Sequence, residues 1–302
     1  MEGNRLNIRL LTLCATLIAC TAAALPAKTV RPGQKIEWTM GDGRKSWRLG
    51  DLTATFDRVQ CAPLGEDCED GDVEPVLTVA DGQGRSVTLD GSPMQNIAML
   101  GPLTKGGPAA LFFQDYTGGM HCCQRMRVVT ATPDGLKIAE LGAYDGAEIG
   151  WPSDIDGDGI RDFVVTDDRF LYAFESYAAS VAPPRVLNVI DGVMVDVSAD
   201  PRFASVFRKS AASARKACIG DDYPNGACAA WAASAARLGT LDTVWPVILA
   251  EYRREPAAWP DQCKVERSEE DDSCPDGQLI EYPDYPTGLR AFLIETGYIP
   301  AA

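Results

Sequence analysis

The sequence predicts an α+β protein: a mainly antiparallel β region over residues 28–198, followed by a small α-helical region over 199–302. Three observations carry this reading. Up to Ser198, short apolar runs alternate with polar residues and break at turns rich in glycine and aspartate, the period-two signature of half-buried strands. Beyond Ser198, alanine-rich stretches place apolar residues at helical spacing and stop on glycine. Eight of the ten cysteines follow the N-terminal segment, and six of them form three pairs close in sequence, which suits covalent staples.

The chain opens with Arg5 and Arg9, the apolar run LLTLCATLIA and the small residues CTAAALPA. A charged start, a core too short to span a bilayer and a small-residue end make a secretory signal, so residues 1–27 are read as signal peptide and tether. Two cleavages compete. TAAA and LPA suit ordinary signal peptidase, which is slightly favoured, whereas LIAC resembles a lipobox and would leave a lipid anchor on Cys20. Both place the protein in the periplasm or outside the cell, free or as a membrane-anchored lipoprotein. No later apolar run is long enough for a transmembrane span.

The β region follows. VLTVADGQGRSVTL reads as a hairpin, RMRVVTATPDGLKIAEL as a second turning at Pro133-Asp134-Gly135, and PRVLNVIDGVMVDVS as a third turning at Asp191-Gly192. FVVTDDRFLYAFES reads as two strands around the polar TDD. About ten to twelve short strands result, enough for a sandwich, a barrel or propeller-like hairpins. Past Ser198, Asp200 can cap a helix with Pro201 at its first position, burying Phe203, Val206, Phe207 and Ala214. GACAAWAASAARLG is a helix ended by Gly239. TVWPVILAEYRR follows, with Pro246 tolerable only near a helix start, and PTGLRAFLIETG is a last helix stopped by Gly297. The expected bridges are Cys61–Cys68, Cys218–Cys228 and Cys263–Cys274, the second stapling the first two helices at their turn. Cys122–Cys123 is expected to be bridged, either to each other or to other cysteines. Only one histidine occurs in the chain, which disfavours zinc.

The formal net charge of −15 repels phosphate, and no basic patch with interleaved aromatics appears, so no nucleic acid partner is expected.

Residues 153–166 read SDIDGDGIRDFVVT. Asp154, Asp156, Asp158, Ile160 and Asp162 alternate along this loop, the last before a strand, and four carboxylates so close would repel one another without a cation. A hard ion such as calcium takes six to eight oxygen ligands on a sharply curved loop. Gly157 and Gly159 permit the curvature, and Ile160 would contribute its carbonyl. The bidentate glutamate that closes an EF-hand would fall on Val165, so this is not that motif. Calcium launching a strand resembles the FG-GAP and integrin-type loops, in which the aligned aspartates bind calcium structurally. FFQDYTGGMHCC and DDRFLYAFESYA also look like a type of uncharacterised bacterial envelope protein with no known activity.

The best candidate for chemistry is DYTGGMHCCQ, which gathers Asp115, Tyr116, His121, Cys122 and Cys123 at a turn. A Cys–His nucleophile pair is conceivable, but adjacent cysteines in an oxidising compartment usually form bridges. No GxSxG elbow, HExxH helix or phosphate-binding glycine loop is present. The leading reading is therefore an exported, calcium-stabilised binding or interaction protein of the bacterial envelope, with an unknown envelope or extracellular ligand. The alternative is a secreted hydrolase working through paired carboxylates, with calcium structural.

The address can be tested directly. With ordinary cleavage, Cys20→Ser leaves the protein in the soluble fraction before and after substitution; a shift from membrane to soluble fractions on substitution would establish the lipobox instead.

Overall fold

The computed structural model describes residues 26–60, 73–119, 123–146, 148–254, 260, 262–265 and 274–301. Cys20, the expected Cys61–Cys68 bridge, His121, Cys122 and Trp259 lie outside the described residues.

Strict alternation builds the first sheet. In β4 (Leu52–Gln60), Leu52, Ala54 and Phe56 are buried while their neighbours are not, and in β5 (Val73–Ala80) Leu77 and Val79 repeat the pattern. Together with β1 (Lys28–Thr29), β3 (Lys45–Leu49) and β6 (Ser86–Asp90) they form a five-stranded sheet in the order β1-β3-β4-β5-β6, antiparallel except for the parallel β1–β3 pair. The β5–β6 turn is held by Asp81, whose carboxylate accepts the backbone N–H groups of Gln83 and Arg85 and the Arg85 guanidinium at 2.6 Å.

The second sheet obeys a different rule. Its order is β10 (Gly135–Tyr144), β9 (Gln124–Thr132), β8 (Ala109–Tyr116), β7 (Gln95–Pro102) and β2 (Lys35–Trp38), all antiparallel. In β7 and β8 the residues are buried consecutively, because both faces of this sheet are covered. One face meets the first sheet in a core of Trp38, Phe56, Leu77, Leu100, Leu111 and Phe113. Trp38 stacks on Phe56 at 5.3 Å, and Phe113 tilts against Phe56 at 5.8 Å. The other face packs Met99, Phe112, Met126 and Val128 against a third sheet, β11 (Phe163–Thr166), β12 (Pro184–Ile190) and β13 (Val193–Asp196). The described strands thus stack in three layers, with no closed barrel.

All three sequence-predicted hairpins form. In the one that joins β12 to β13, Ile190 pairs with Val193 and leaves Asp191 and Gly192 as a two-residue loop with φ of 52° and 78°. Positive φ at both positions is the primed turn that matches strand twist.

One strand expectation is overturned. FVVT forms β11, but the following residues do not return as its partner: Asp168–Phe170 is a 3-10 turn, and β11 pairs with β12 through Phe163↔Leu187. The apolar residues of this stretch serve another core. Phe170 and Phe174 leave the sheets and pack edge-on against Phe292 at 4.9 and 5.2 Å.

Phe292 belongs to the helices. Asp200 accepts the Arg202 N–H and starts a 3-10 turn, Pro201–Phe203, that runs into α1 (Ala204–Gly220). α2 (Asn225–Arg237), α3 (Leu241–Glu251) and α4 (Tyr285–Glu295) follow, α4 capped by Asp284, whose carboxylate accepts the Thr287 N–H at 2.9 Å. Gly239 and Gly297 lie at φ 67° and 77° beyond α2 and α4, the left-handed stops that glycine supplies. Cys218–Cys228 ties α1 to α2, and Cys263–Cys274 closes a second bridge, as the spacing predicted. Pro246 departs from expectation: it sits inside α3, at the sixth of eleven residues. The missing N–H costs about 3 kcal/mol; burial of Ile248 and packing of Val244 and Trp245 on the same core offset it. Phe203 and Phe207 of the first helical turns cover Val186 on the outer face of the third sheet.

Phe56 lies fully buried where Trp38, Trp47 and Phe113 converge. Phe56→Ala lowers the unfolding free energy by about 3–5 kcal/mol, read as a shift in the urea midpoint. The paired change Cys218→Ala with Cys228→Ala costs about 2–4 kcal/mol, read the same way.

Candidate functional site

The acidic loop joins β10 to β11 and folds by satisfying its own backbone. Asp154 accepts the N–H groups of Gly157 at 2.8 Å and Gly159 at 3.1 Å, Asp156 that of Asp158 at 3.1 Å, and Asp158 that of Ile160 at 2.8 Å. Gly157 and Gly159 adopt φ of 81° and 88°, which side chains resist. The loop is pinned at both ends. Ser153 bridges Asp162, Ile160 bridges Thr104, and the Arg161 guanidinium donates to the carbonyls of Pro102 and Pro152 at 3.0 Å each.

This curvature turns three carboxylates on one point: oxygens of Asp154, Asp156 and Asp162 all lie within 4.8 Å of one another. Asp162 is the buried one, 2% exposed, accepting Ile155 N–H at 2.6 Å and Asn188 Nδ2–H at 2.7 Å. Burial raises its pKa, with the Asp156 and Asp158 charges adding to the rise and these two hydrogen bonds opposing it. Asp158 stands outside the trio and turns instead to Arg202, whose Nη1 lies 3.2 Å from Asp158 Oδ2 and 2.7 Å from Asp156 Oδ2, while Nη2 reaches Asp200 at 2.7 Å. Ile160 enters through its backbone, in the bridge to Thr104. The five sequence-predicted residues therefore share one loop, but the carboxylates converge as a group of three.

The trio suits a hard cation. Its donors are all oxygen, and the Asp156 side chain is 1% exposed with an Oδ2 that accepts no hydrogen bond. Arg202 Nη1 lies 2.7 Å from that oxygen without hydrogen-bond alignment, so the guanidinium and a metal would compete for it.

A second charged group underlies the DYTGG turn. Asp115 is fully buried in β8 and accepts Arg125 Nη2–H at 2.7 Å and Arg127 Nη2–H at 2.9 Å, both from β9, while Asp90 of β6 pairs with the same two arginines. Arg127 also lies over the Phe113 ring at 4.9 Å. These contacts lock Asp115 as a clamp between sheets rather than presenting it for chemistry. Thr117 N–H donates to the Cys123 carbonyl at 2.9 Å and closes the turn. Cys123 is disulfide-bonded, so it offers no thiol nucleophile; its partner lies outside the described residues.

The arginines escaped the reading from sequence, although RMR places Arg125 and Arg127 on one face of a strand. Asn188 left a weaker trace, a lone amide inside VLNVI. Nothing near Arg202 announced its reach across 44 residues to the loop. Paired carboxylates away from the loop occur in a groove of about 520 Å³ lined by Asp51, Asp81 and Arg85. Burial would raise the Asp81 pKa, but the Arg85 and backbone hydrogen bonds outweigh it and hold the carboxyl below its ordinary value, which leaves it unsuited to act as a general acid.

Residues 206–297 match the family model described as the sll0997 C-terminal domain. A probable thylakoid lumen protein of Synechocystis sp. (strain ATCC 27184 / PCC 6803 / Kazusa), sll0997, is 36% identical over 239 residues, which cover 75% of this chain and 68% of that protein. The uncharacterized protein y4bJ of Sinorhizobium fredii (strain NBRC 101917 / NGR234) is 32% identical over 200 residues, 63% of this chain but 30% of that longer protein. No solved structure matches. The similarity to the Synechocystis protein extends well beyond the 92 residues of the family segment 206–297, and the chain belongs to the sll0997 family.

Proposed function

We propose that the protein is an exported, calcium-stabilised binding protein of the bacterial envelope, in which the ion holds the scaffold and performs no reaction. The observation that carries this reading is the convergence of Asp154, Asp156 and Asp162 on one point, with a buried Asp156 oxygen that accepts no hydrogen bond among the described residues. Export is supported by the N-terminal signal pattern, the disulfides Cys218–Cys228 and Cys263–Cys274 and the lumenal description of the Synechocystis relative.

A structural role follows from the chemistry. Three carboxylates over-neutralise a divalent ion, which leaves little field to acidify bound water, and calcium is a weak Lewis acid beside zinc. Asp162 transmits the ion's hold into the sheets, because Asn188 of β12 donates to it. The resemblance of DxDGDGxxD to FG-GAP loops supports the same ion and use.

Millimolar calcium, the range of extracellular sites, raises the melting temperature relative to chelated protein at fixed ionic strength. The stabilisation is about 2.7 kcal/mol when free calcium is a hundred times its dissociation constant. Asp156→Ala abolishes most of that rise and leaves the helical far-UV signal intact. An unchanged melting temperature for the unsubstituted protein on adding and chelating calcium would overturn the assignment.

A further inference from the structure

A groove of about 470 Å³ runs between the third sheet and α1, and none of the acidic loop's four carboxylates lines it. Its origin lies in side-chain size. Val206, Lys209, Ser210, Ser213 and Ala214 recur every three or four residues and so share one stripe of α1. A helix lying on a sheet ordinarily fills that stripe with large aliphatic side chains. Here the middle of the stripe is serine and alanine, and the space opposite Val164 and Val165 of β11 stays open. Met126, Ile149 and Val181 complete largely apolar walls. The volume falls in the range of small-molecule sites.

The polar groups are few and unequal. Asp145 is engaged by the Tyr177 phenol, and Ser210 Oγ is hydrogen-bonded to Ser234 Oγ at 3.0 Å. Thr166 Oγ1–H donates to Asp168 at 2.7 Å. Lys209 has no ion-pair partner among the described residues. In a chain of net charge −15, an exposed cation without an ion pair at the rim of an apolar groove, whose lining carboxylate Asp145 is already engaged by Tyr177, is complementary to an anion that carries its own apolar body.

We propose that this groove binds a small amphiphilic carboxylate, its alkyl part between β11 and α1 and its carboxylate on Lys209. The inference rests on the reading of the protein as a binder and names the ligand class.

Dodecanoate is the probe, titrated calorimetrically into the full-length mature protein in calcium-containing buffer, at micromolar concentrations below both its micellar concentration and the solubility limit of its calcium soap. One saturable site per chain is expected. Lys209→Gln weakens dodecanoate by about fivefold and leaves dodecanol unchanged, whereas Ser213→Phe fills the groove and abolishes both with the melting temperature preserved. No saturable binding, equal binding by Ser213→Phe, or dodecyltrimethylammonium binding as well as dodecanoate would each overturn the proposal. A calcium-dependent melting shift that persists through such a failure would sink the groove assignment alone, and its loss with dodecanoate still bound would sink the calcium reading alone.

Discussion

The central sheet has apolar side chains on both faces, and that constraint dictates what surrounds it. A single covering layer would leave either Phe113 and Leu111 or Phe112 and Val128 in water, at about 1.5–3 kcal/mol for each large side chain left exposed. The first sheet and the third supply the two covers. The third sheet is small, and its own outer face carries Val186, so a further layer is needed and Phe203 and Phe207 provide it. Sheet, sheet, sheet and helix therefore follow from one doubly buried element.

Charge is handled by the same economy of position. Two buried clusters, Asp115 with its arginines and Asp162 with Asn188, both sit where a loop must be tied to a neighbouring layer. Desolvated carboxylates are tolerated only when ion-paired or hydrogen-bonded in this way. Arg202 extends the principle: placed one turn before α1, it joins the acidic loop to the first helix through Asp156, Asp158 and Asp200. A metal held by the trio and the guanidinium of Arg202 would share Asp156, so the charge state of the loop and the seating of α1 are physically linked.

Local rules made much of this legible in the amino-acid order. The hairpins were visible because turn chemistry at Asp81, Pro133-Asp134 and Asp191-Gly192 coincides with period-two burial. The cap at Asp200 and the two bridges between near cysteines were equally local. What stayed hidden was set by distant partners. LYAFES has strand-like alternation, yet Phe170 and Phe174 answer to Phe292 more than a hundred residues away. Asp158 carries the same side chain as its loop neighbours, and the Arg202 it pairs with lies 44 residues away. Composition likewise gives no hint that the serines of α1 leave a groove, because small residues on a helix read as ordinary helix formers.

Phe170, Ala173 and Phe174 are buried with α2 and α4 in one apolar cluster, and Tyr298 beyond α4 reaches back to Asp167 at 3.0 Å. The recognisable C-terminal family segment begins at 206, some thirty residues after these anchors. The border of that segment and the border of the folding unit thus fall in different places. A gene fusion or truncation cut at residue 206 would carry the helices away from the aromatic plug that completes them, whereas one cut before Asp167 would keep the unit whole.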